Sequence, residues 1–424
     1  MTATRSPGRS PARAKAKGPW SRQRKLPVAR AVDGVGCARA CFHTASIHRE
    51  QLVTTGLFDG PLAITARGVQ PAAFDVFERA GALTAKLRAL GITCELERVV
   101  QGPQLTRYEL RPTNGTLMRD ICRTADDLAF ELGAYPVRVL APLPDRAGLV
   151  AVEVPCAERR IVRLDELPPS RAPLCFPLGL GLDGEPVYCD LASSPHLLVA
   201  GETGSGKSSM VNSMLCSFLT RFGPAELGLV LIDPKQVELT QYQRLPHLLA
   251  PVADDVEQAL ARLRSTVKLM ELRYEVASRF GARSLAELNA KLKLAGHLPC
   301  PYVLVVIDEL ADLMMMSRKQ CEPLIVRLAQ KARAVGIHGV LATQSPRVQV
   351  VSGLISANIP TRIAFKVAKQ VDSRVILDAN GAEQLLGNGD GLLSIPGATP
   401  VRFQAALVEG DEIDAICDRW RDHA

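Results

Sequence analysis

One glycine-rich octapeptide, Gly-Glu-Thr-Gly-Ser-Gly-Lys-Ser at residues 201–208, has the residue types and spacing that bind nucleotide phosphates. It follows an apolar run that predicts a strand at 196–200 and precedes a segment that predicts a helix at 210–219. Such glycines let backbone N–H groups turn toward the phosphates, and a helix N-terminus adds positive potential. The alternative is a glycine-rich turn with a surface lysine. The predicted nucleotide-binding residues are Gly201, Glu202, Thr203, Gly204, Ser205, Gly206, Lys207 and Ser208.

Two acids, Asp308 and Glu309, end a second apolar run about one hundred residues later. A buried strand that ends in two acids supplies the other half of an ATP site. We expect Asp308, together with the Ser208 hydroxyl, to hold Mg²⁺. Glu309 is the predicted general base that activates the attacking water. Either acid alone is equally explained as the N-cap of the following helix.

A third polar residue, Gln344, follows the next predicted strand. Its position beside the phosphate loop suits a sensor of the γ-phosphate. Taken by itself, however, the residue is better explained as a loop glutamine without a role.

Short apolar runs that alternate with longer helical segments position these residues. From residue 187 onward this alternation predicts an α/β domain, 187–424, with a parallel sheet flanked by helices. The predicted strands are 197–200, 227–232, 303–307, 339–342 and 362–367. Residues 70–167 predict a small α+β domain that includes a helix at 118–132. A Pro/Gly-rich stretch, 168–186, reads as the linker between the two.

The positive charge of the chain is concentrated in a basic arm, residues 1–55. The formal charge is +7, but residues 1–49 alone carry +10, and the rest is slightly acidic. We interpret the arm as disordered; a mitochondrial transit peptide is the alternative.

No apolar stretch is long enough to span a membrane. Eleven scattered cysteines favour reduced thiols and a cytoplasmic location. The cluster Cys37, Cys41, His43 and His48 is too closely spaced for an ordinary zinc finger.

These motifs resemble those of one family, the FtsK/SpoIIIE DNA translocases. The similar strings are PHLLVAGETGSGKSSMVNSML (195–215), LIDPKQVELTQYQRLPHLLAPV (231–252), PYVLVVIDELADLMM (301–315), RLAQKARAVGIHGVLATQSP (327–346) and GLISANIPTRIAFKVAKQVDSRVILDANGAEQLLGNGDGLL (353–393). In the small domain, GPQLTRYEL (102–110) and GLVAVEVP (148–155) are similar to the α-domain of the family. The resemblance covers about residues 75–424.

The resemblance implies a RecA-like P-loop ATPase domain that assembles as a homo-hexamer and moves double-stranded DNA through its channel, with ATP and Mg²⁺ as cofactors. It makes Gln344 a credible sensor. It also singles out Arg333 as an arginine finger that would reach the γ-phosphate of a neighbouring subunit. A surface arginine without that role is the alternative.

Three positions depart from the family pattern, which has TQRP, LIKANIP and SKIDSR where this chain has Ser345, Ser356 and Gln370. Each change removes a positive charge that could neutralise a DNA phosphate. We expect nearby cations to replace them. The predicted DNA-contacting residues are Arg347, Lys366, Lys369 and Arg374.

The sequence therefore predicts an ATP-dependent double-stranded DNA translocase acting on chromosomal or mobile-element DNA. A membrane-spanning region and a winged-helix domain of the family are not found in the chain, which indicates a minimal motor. Two alternatives stay open. One is a related ATPase of a secretion or conjugation system that moves protein or nucleoprotein. The other is a DNA-binding module that binds ATP without cycling.

Overall fold

The computed structural model describes residues 51–53, 62–65, 73–113, 115–143 and 146–421. Apart from residues 51–53, the predicted basic arm lies outside the described residues. The cluster Cys37, Cys41, His43 and His48 lies outside them as well. Within the described ranges, no helix combines the length and the apolar character needed to cross a bilayer.

The first domain is a sheet covered by helices. In the described part of the chain its strand order is β1-β2-β3-β4-β6-β5. Its elements are β1 (Gln51–Val53), β2 (Leu62–Thr65), α1 (Ala73–Ala89), β3 (Cys94–Gln101), β4 (Leu105–Pro112), α2 (Met118–Cys122), α3 (Ala125–Glu131), β5 (Arg138–Leu140) and β6 (Val150–Pro155). Leu83 and Leu87 of α1 pack with Val152 of β6 in the core. The single helix expected at 118–132 is wrong: it is two helices that are interrupted at residues 123–124.

The second domain is built on a larger mixed sheet. Its strands are β7 (Cys175–Gly181), β8 (Pro186–Asp190), β9 (His196–Ala200), β10 (Leu227–Ile232), β11 (Tyr302–Ile307), β12 (Ile337–Thr343), β13 (Thr361–Phe365), β14 (Asp390–Ser394) and β15 (Val401–Ala405). Its helices are α4 (Lys207–Leu219), α5 (Val256–Arg279), α6 (Leu285–Leu294), α7 (Leu310–Lys331), α8 (Gly353–Asn358), α9 (Gln370–Leu377) and α10 (Gly410–Arg421).

The strands β10-β11-β12-β9-β13 pair in parallel, as the alternating pattern predicts. They are buried on both faces, which explains why they read as continuous apolar runs. Successive residues of a strand point to opposite faces. In β9, Leu197 and Val199 pack against the core that contains α4 and α10, whereas Leu198 packs against the core that contains α5 and α7.

The other half of the sheet continues as antiparallel strands in the order β14-β15-β7-β8. Strand β7 lies inside the stretch expected to be a linker, 168–186, so this linker is wrong. The stretch misleads because a glycine typical of linkers here allows close strand packing: at Gly179 an added Cβ would lie 1.8 Å from the Gln404 carbonyl oxygen of β15. The sheet of the second domain therefore begins before residue 187.

Buried charges join the two domains. Glu153 of β6 accepts hydrogen bonds from Arg107 of β4 and from Arg402 of β15. Arg402 in turn donates to both carboxylate oxygens of Asp390, at 2.9 and 2.5 Å. The guanidinium Nη1 of Arg138 lies 3.6 Å from the Glu153 Oε2. We call these five residues the interdomain ion cluster.

Candidate nucleotide site

The phosphate loop, residues 201–206, connects β9 to the amino end of α4. Gly206 is the N-cap of this helix and has a left-handed backbone with φ of 115°. An added Cβ at Gly206 would lie 2.5 Å from the Gly389 Cα, and one at Gly201 would lie 2.5 Å from the Ser205 Oγ. Neither position accepts a side chain without rearrangement. The loop therefore lies against the start of β14, and Gly389 N–H donates to the Ser205 carbonyl at 2.8 Å.

Lys207 and Asp308 form a buried ion pair between α4 and the end of β11. The Lys207 Nζ donates to the Asp308 Oδ1 at 2.8 Å and to the Asp308 carbonyl at 2.9 Å. Both side chains are almost fully buried. Burial raises the pKa of Asp308, and the Lys207 ammonium group opposes that rise only in part. The two residues predicted from separate motifs therefore meet in one site.

Glu309 is held by donors from two sides. Its Oε1 accepts from the Thr343 hydroxyl at 2.7 Å and from the Ala311 N–H at 3.2 Å. The Gln344 N–H lies 3.2 Å from both carboxylate oxygens. Glu309 is also the N-cap of α7, so its predicted catalytic position and its capping role coexist.

Gln344 connects the end of β12 to the phosphate loop. Its side-chain Oε1 accepts from the Thr203 hydroxyl at 2.7 Å. Its backbone binds Glu309, as described above. Gln344 thus lies between the loop and the predicted base.

A turn after β10, residues 233–239, supplies contacts that the motifs did not predict. The Asp233 Oδ2 accepts the N–H groups of residues 237, 238 and 239, which fixes the turn. Glu238 accepts the Ser208 hydroxyl at 2.7 Å, and Lys235 donates to the Glu309 Oε2 at 3.3 Å. Burial lowers the pKa of Lys235, but the carboxylates of Glu309, Asp312 and Asp308 together outweigh burial, and the pKa is raised. These residues lie in the string at 231–252, which carried no assigned role.

Several buried polar atoms of the site have no partner among the described residues. They are the Ser205 Oγ, the Asp308 Oδ2 and the Asp233 Oδ1. Buried polar groups are normally hydrogen-bonded, and unpaired ones are costly. An open hydroxyl donor in the loop suits a phosphate oxygen, and the open carboxylate oxygen of Asp308, next to Lys207, suits a hydrated cation. The residues present therefore fit a magnesium nucleotide.

Arg333 lies away from this site. It is exposed on a 3-10 turn, Ala332–Val335, that precedes the amino end of β12. The phosphate loop and Glu309 follow the carboxyl ends of the parallel strands β9 and β11, whereas Arg333 precedes the amino end of β12. Strand β12 separates these two ends by roughly 20 Å. Arg333 therefore does not reach the site of its own chain.

The predicted DNA-contacting residues follow β12 and β13. Arg347, Lys369 and Arg374 are exposed, and Lys366 is half-buried at the end of β13. Arg374 donates to Asn380 and to Gln370. At one of the departing positions, Ser356 accepts a hydrogen bond from the buried Arg362 at 2.8 Å.

Comparison with known proteins identifies related sequences. A model described as the FtsK/SpoIIIE family matches residues 162–348, and one described as the FtsK alpha domain matches residues 67–156. DNA translocase FtsK of Pseudomonas aeruginosa is 42% identical over 390 residues, which cover 85% of this chain and 48% of that protein. DNA translocase SpoIIIE of Bacillus subtilis is 43% identical over 357 residues, covering 81% and 45%. The chain spans about half the length of the curated relatives it matches.

Solved structures share the fold. The pCW3 conjugation coupling protein TcpA, a monomer form with ATPγS, has a TM-score of 0.59 at 22% identity and covers 81% of this chain and 99% of that chain. The cytoplasmic domain of the Type VII secretion ATPase EccC from Thermomonospora curvata has a TM-score of 0.54 at 26% identity, covering 60% and 32%. The predicted fold class, a RecA-like P-loop domain preceded by a small α+β domain, is confirmed, with a sheet that is mixed rather than wholly parallel.

Proposed function

Because the chain belongs to the FtsK/SpoIIIE family, we propose that it is an ATP-dependent motor that moves double-stranded DNA. The observation that carries the proposal is the convergence of Lys207, Asp308, Glu309 and Gln344 around one phosphate loop. A chain that only bound ATP would need no acid held beside the γ-phosphate position.

ATP hydrolysis then follows from the roles of these side chains. The loop N–H groups and Lys207 bind the phosphates, so the ammonium group leaves Asp308 for the phosphate oxygens. Ser208 and Asp308 would hold Mg²⁺, which neutralises charge on the phosphates. Glu309 accepts a proton from the attacking water, and Gln344 senses the γ-phosphate.

The proposed assembly is a homo-hexameric ring. The support for this assembly is the position of Arg333, which is exposed near the amino end of β12, away from the nucleotide site of its own chain. In a ring, the amino ends of the strands of one subunit can face the phosphate loop of the next subunit. Arg333 would then neutralise transition-state charge in the neighbouring site.

DNA is gripped through its phosphates rather than its bases in this proposal, because a translocase must move along any sequence. Arg347, Lys369 and Arg374 are the exposed residues among the proposed contacts, and Arg374 already donates to Asn380 and Gln370. Lys366 is half-buried. A cytoplasmic location stays a prediction from the scattered cysteines.

ATPase measurements with and without duplex DNA test the proposal. We expect DNA to stimulate hydrolysis and the protein to displace a triplex-forming strand. Glu309→Gln should lower hydrolysis by about 10²–10⁴-fold while nucleotide binding persists. Unstimulated ATPase activity together with no displacement would instead favour a motor that moves protein, since EccC shares the fold.

The grip is tested by the double variant Arg347→Ala/Lys369→Ala. Each lost phosphate contact should weaken DNA binding and reduce its salt dependence by about one unit of slope. The matched control is Lys319→Met, because Lys319 is exposed on α7 and is not a proposed contact. Unchanged DNA-stimulated ATPase activity in the double variant would show that these residues do not grip DNA.

A further inference from the structure

The 233–239 turn contacts both halves of the nucleotide site. Glu238 accepts the hydroxyl hydrogen of Ser208, and Lys235 donates to Glu309. Asp233, the first residue of the turn, fixes its backbone by accepting three N–H groups. Neither Lys235 nor Glu238 has a role in the hydrolysis steps described above. The position of the turn therefore raises the question of what Lys235 does to Glu309.

Both carboxylate oxygens of Glu309 already accept hydrogen-bond donors from the chain. Among the described residues, the carboxylate faces the Thr343 hydroxyl, the N–H groups of Ala311 and Gln344, and the Lys235 ammonium group. Three of these donors converge on the Oε1, and the Gln344 N–H is shared with the Oε2. On the Oε2 the Lys235 ammonium group is the only side-chain donor among the described residues, so a water that donates to this oxygen takes its place.

Lys235 is the donor that can leave. The Ala311 and Gln344 donors are backbone groups, and Thr343 is fully buried. The Lys235 side chain is 42% exposed, and its contact with Glu309 is the longest of the set, at 3.3 Å. Asp312 offers it a second carboxylate, with the Oδ2 3.8 Å from the Nζ. A small rotation would therefore free Glu309 without leaving the lysine unpaired.

We propose that Lys235 blocks the proton-accepting oxygen of Glu309 in the resting site and that transfer of its ammonium group to Asp312 releases the base. Lys235 is thus a positioning residue that restrains hydrolysis. Binding of a nucleotide changes the surroundings of Ser208, and Glu238 passes this change to Lys235 through the fixed turn. The inference rests on the proposed function, because the restraint acts on ATP hydrolysis.

The direct test measures ATP hydrolysis without DNA. Lys235→Met keeps the length of the side chain and removes its charge, so the DNA-free rate should rise by about two- to fivefold, the value of a part-exposed ion pair. Lys235→Arg keeps the positive charge, so its DNA-free rate of ATP hydrolysis should equal that of the wild type. Lys319→Met on α7 is the matched control and should leave the rate unchanged. A lower or unchanged rate in Lys235→Met would overturn the proposal.

The release step is tested by Asp312→Asn. Without its second carboxylate, Lys235 stays on Glu309, so the rate at saturating ATP and DNA should fall by about two- to fivefold. The opposite signs of the Lys235→Met and Asp312→Asn effects are specific to a transfer between two carboxylates. A rise in the Asp312→Asn rate would contradict the transfer.

A binding measurement separates this inference from the proposed function. Fluorescent ADP is titrated into the full chain with Mg²⁺, with and without aluminium fluoride, which mimics the transferring phosphoryl group. Lys235→Met should tighten binding of the aluminium fluoride complex by about two- to fivefold relative to ADP alone. An unchanged ratio would refute the restraint. If the wild-type chain does not hydrolyse ATP, the proposed function fails, and this ratio still decides the role of Lys235.

Discussion

Two clusters of buried charge in this molecule are built in opposite ways. In the interdomain ion cluster, every carboxylate oxygen of Glu153 and Asp390 accepts a donor or faces an arginine. In the nucleotide site, the Asp308 Oδ2 and the Ser205 Oγ are buried without a partner among the described residues. The carboxylates of the first cluster are saturated by donors of the chain, although the Arg138 Nε has no partner among the described residues. In the second cluster a carboxylate oxygen itself is left open for a group that the chain does not supply.

The carboxyl groups of the two clusters respond differently to burial. Burial opposes ionisation of Glu153, yet Arg402, Arg107 and Arg138 together hold its pKa below the usual range. Burial likewise opposes ionisation of Asp308, and there its pKa is raised because Lys207 compensates only in part. The comparison teaches that a carboxylate saturated by arginines joins domains, while an unsaturated carboxylate is kept ready for a ligand.

The largest expected effect on stability comes from removing the negative charge of Glu153 from the interdomain ion cluster. Glu153→Gln removes the carboxylate that Arg402, Arg107 and Arg138 share, so three arginines are left with one acid, Asp390, in the interdomain ion cluster. The free energy of unfolding should fall by about 3–5 kcal/mol, as when one partner of a buried ion pair is removed. Urea titration followed by circular dichroism measures the change.

The matched control is Glu158→Gln, because Glu158 is exposed just after β6. Its substitution should change stability by less than about 0.5 kcal/mol. A Glu153→Gln variant that is as stable as Glu158→Gln would show that the cluster does not join the domains energetically.

The pH dependence of the same variant sharpens the comparison. The folded-state pKa of Glu153 is lowered, so its contribution is present above the unfolded-state pKa of about 4.3. It is lost as the pH falls through the lower folded-state pKa. The stability difference between wild type and Glu153→Gln should therefore be constant from neutral pH down to about pH 5 and narrow at lower pH. A difference that narrows already between pH 8 and pH 6 would point to another titrating group.

The parallel half of the sheet could be predicted from sequence because its strands are buried on both faces. β9, β10 and β11 read as unbroken apolar runs bounded by polar residues. β7 could not, since its glycines and prolines resemble a linker until the close approach of Gln404 to Gly179 is known. Propensity is local, whereas this strand is specified by a partner more than two hundred residues away.

The candidate site divides in the same way. Lys207 and Asp308 belong to contiguous motifs whose chemistry follows from residue type and spacing. Lys235 and Glu238 belong to a turn whose importance depends on where β10 places it, beside β11. Their contacts with Glu309 and Ser208 join residues that are 74 and 30 positions apart in the chain. No local spacing encodes such pairs.

The smallest expected effect compares two buried serines near the same helix. Ser213 of α4 donates its hydroxyl hydrogen to the Ala406 carbonyl at 2.8 Å, while the Ser205 hydroxyl has no partner among the described residues. Ser213→Ala should therefore cost about 1 kcal/mol, and Ser205→Ala should cost nothing or stabilise the nucleotide-free chain slightly. Thermal unfolding without nucleotide measures both. Mg²⁺ and ATP should then raise the unfolding temperature of Ser205→Ala by less than that of Ser213→Ala. The reason is that only Ser205 lies in the phosphate loop, so only its loss weakens nucleotide binding. Equal losses in the absence of nucleotide would mean that the open hydroxyl is not held ready for phosphate.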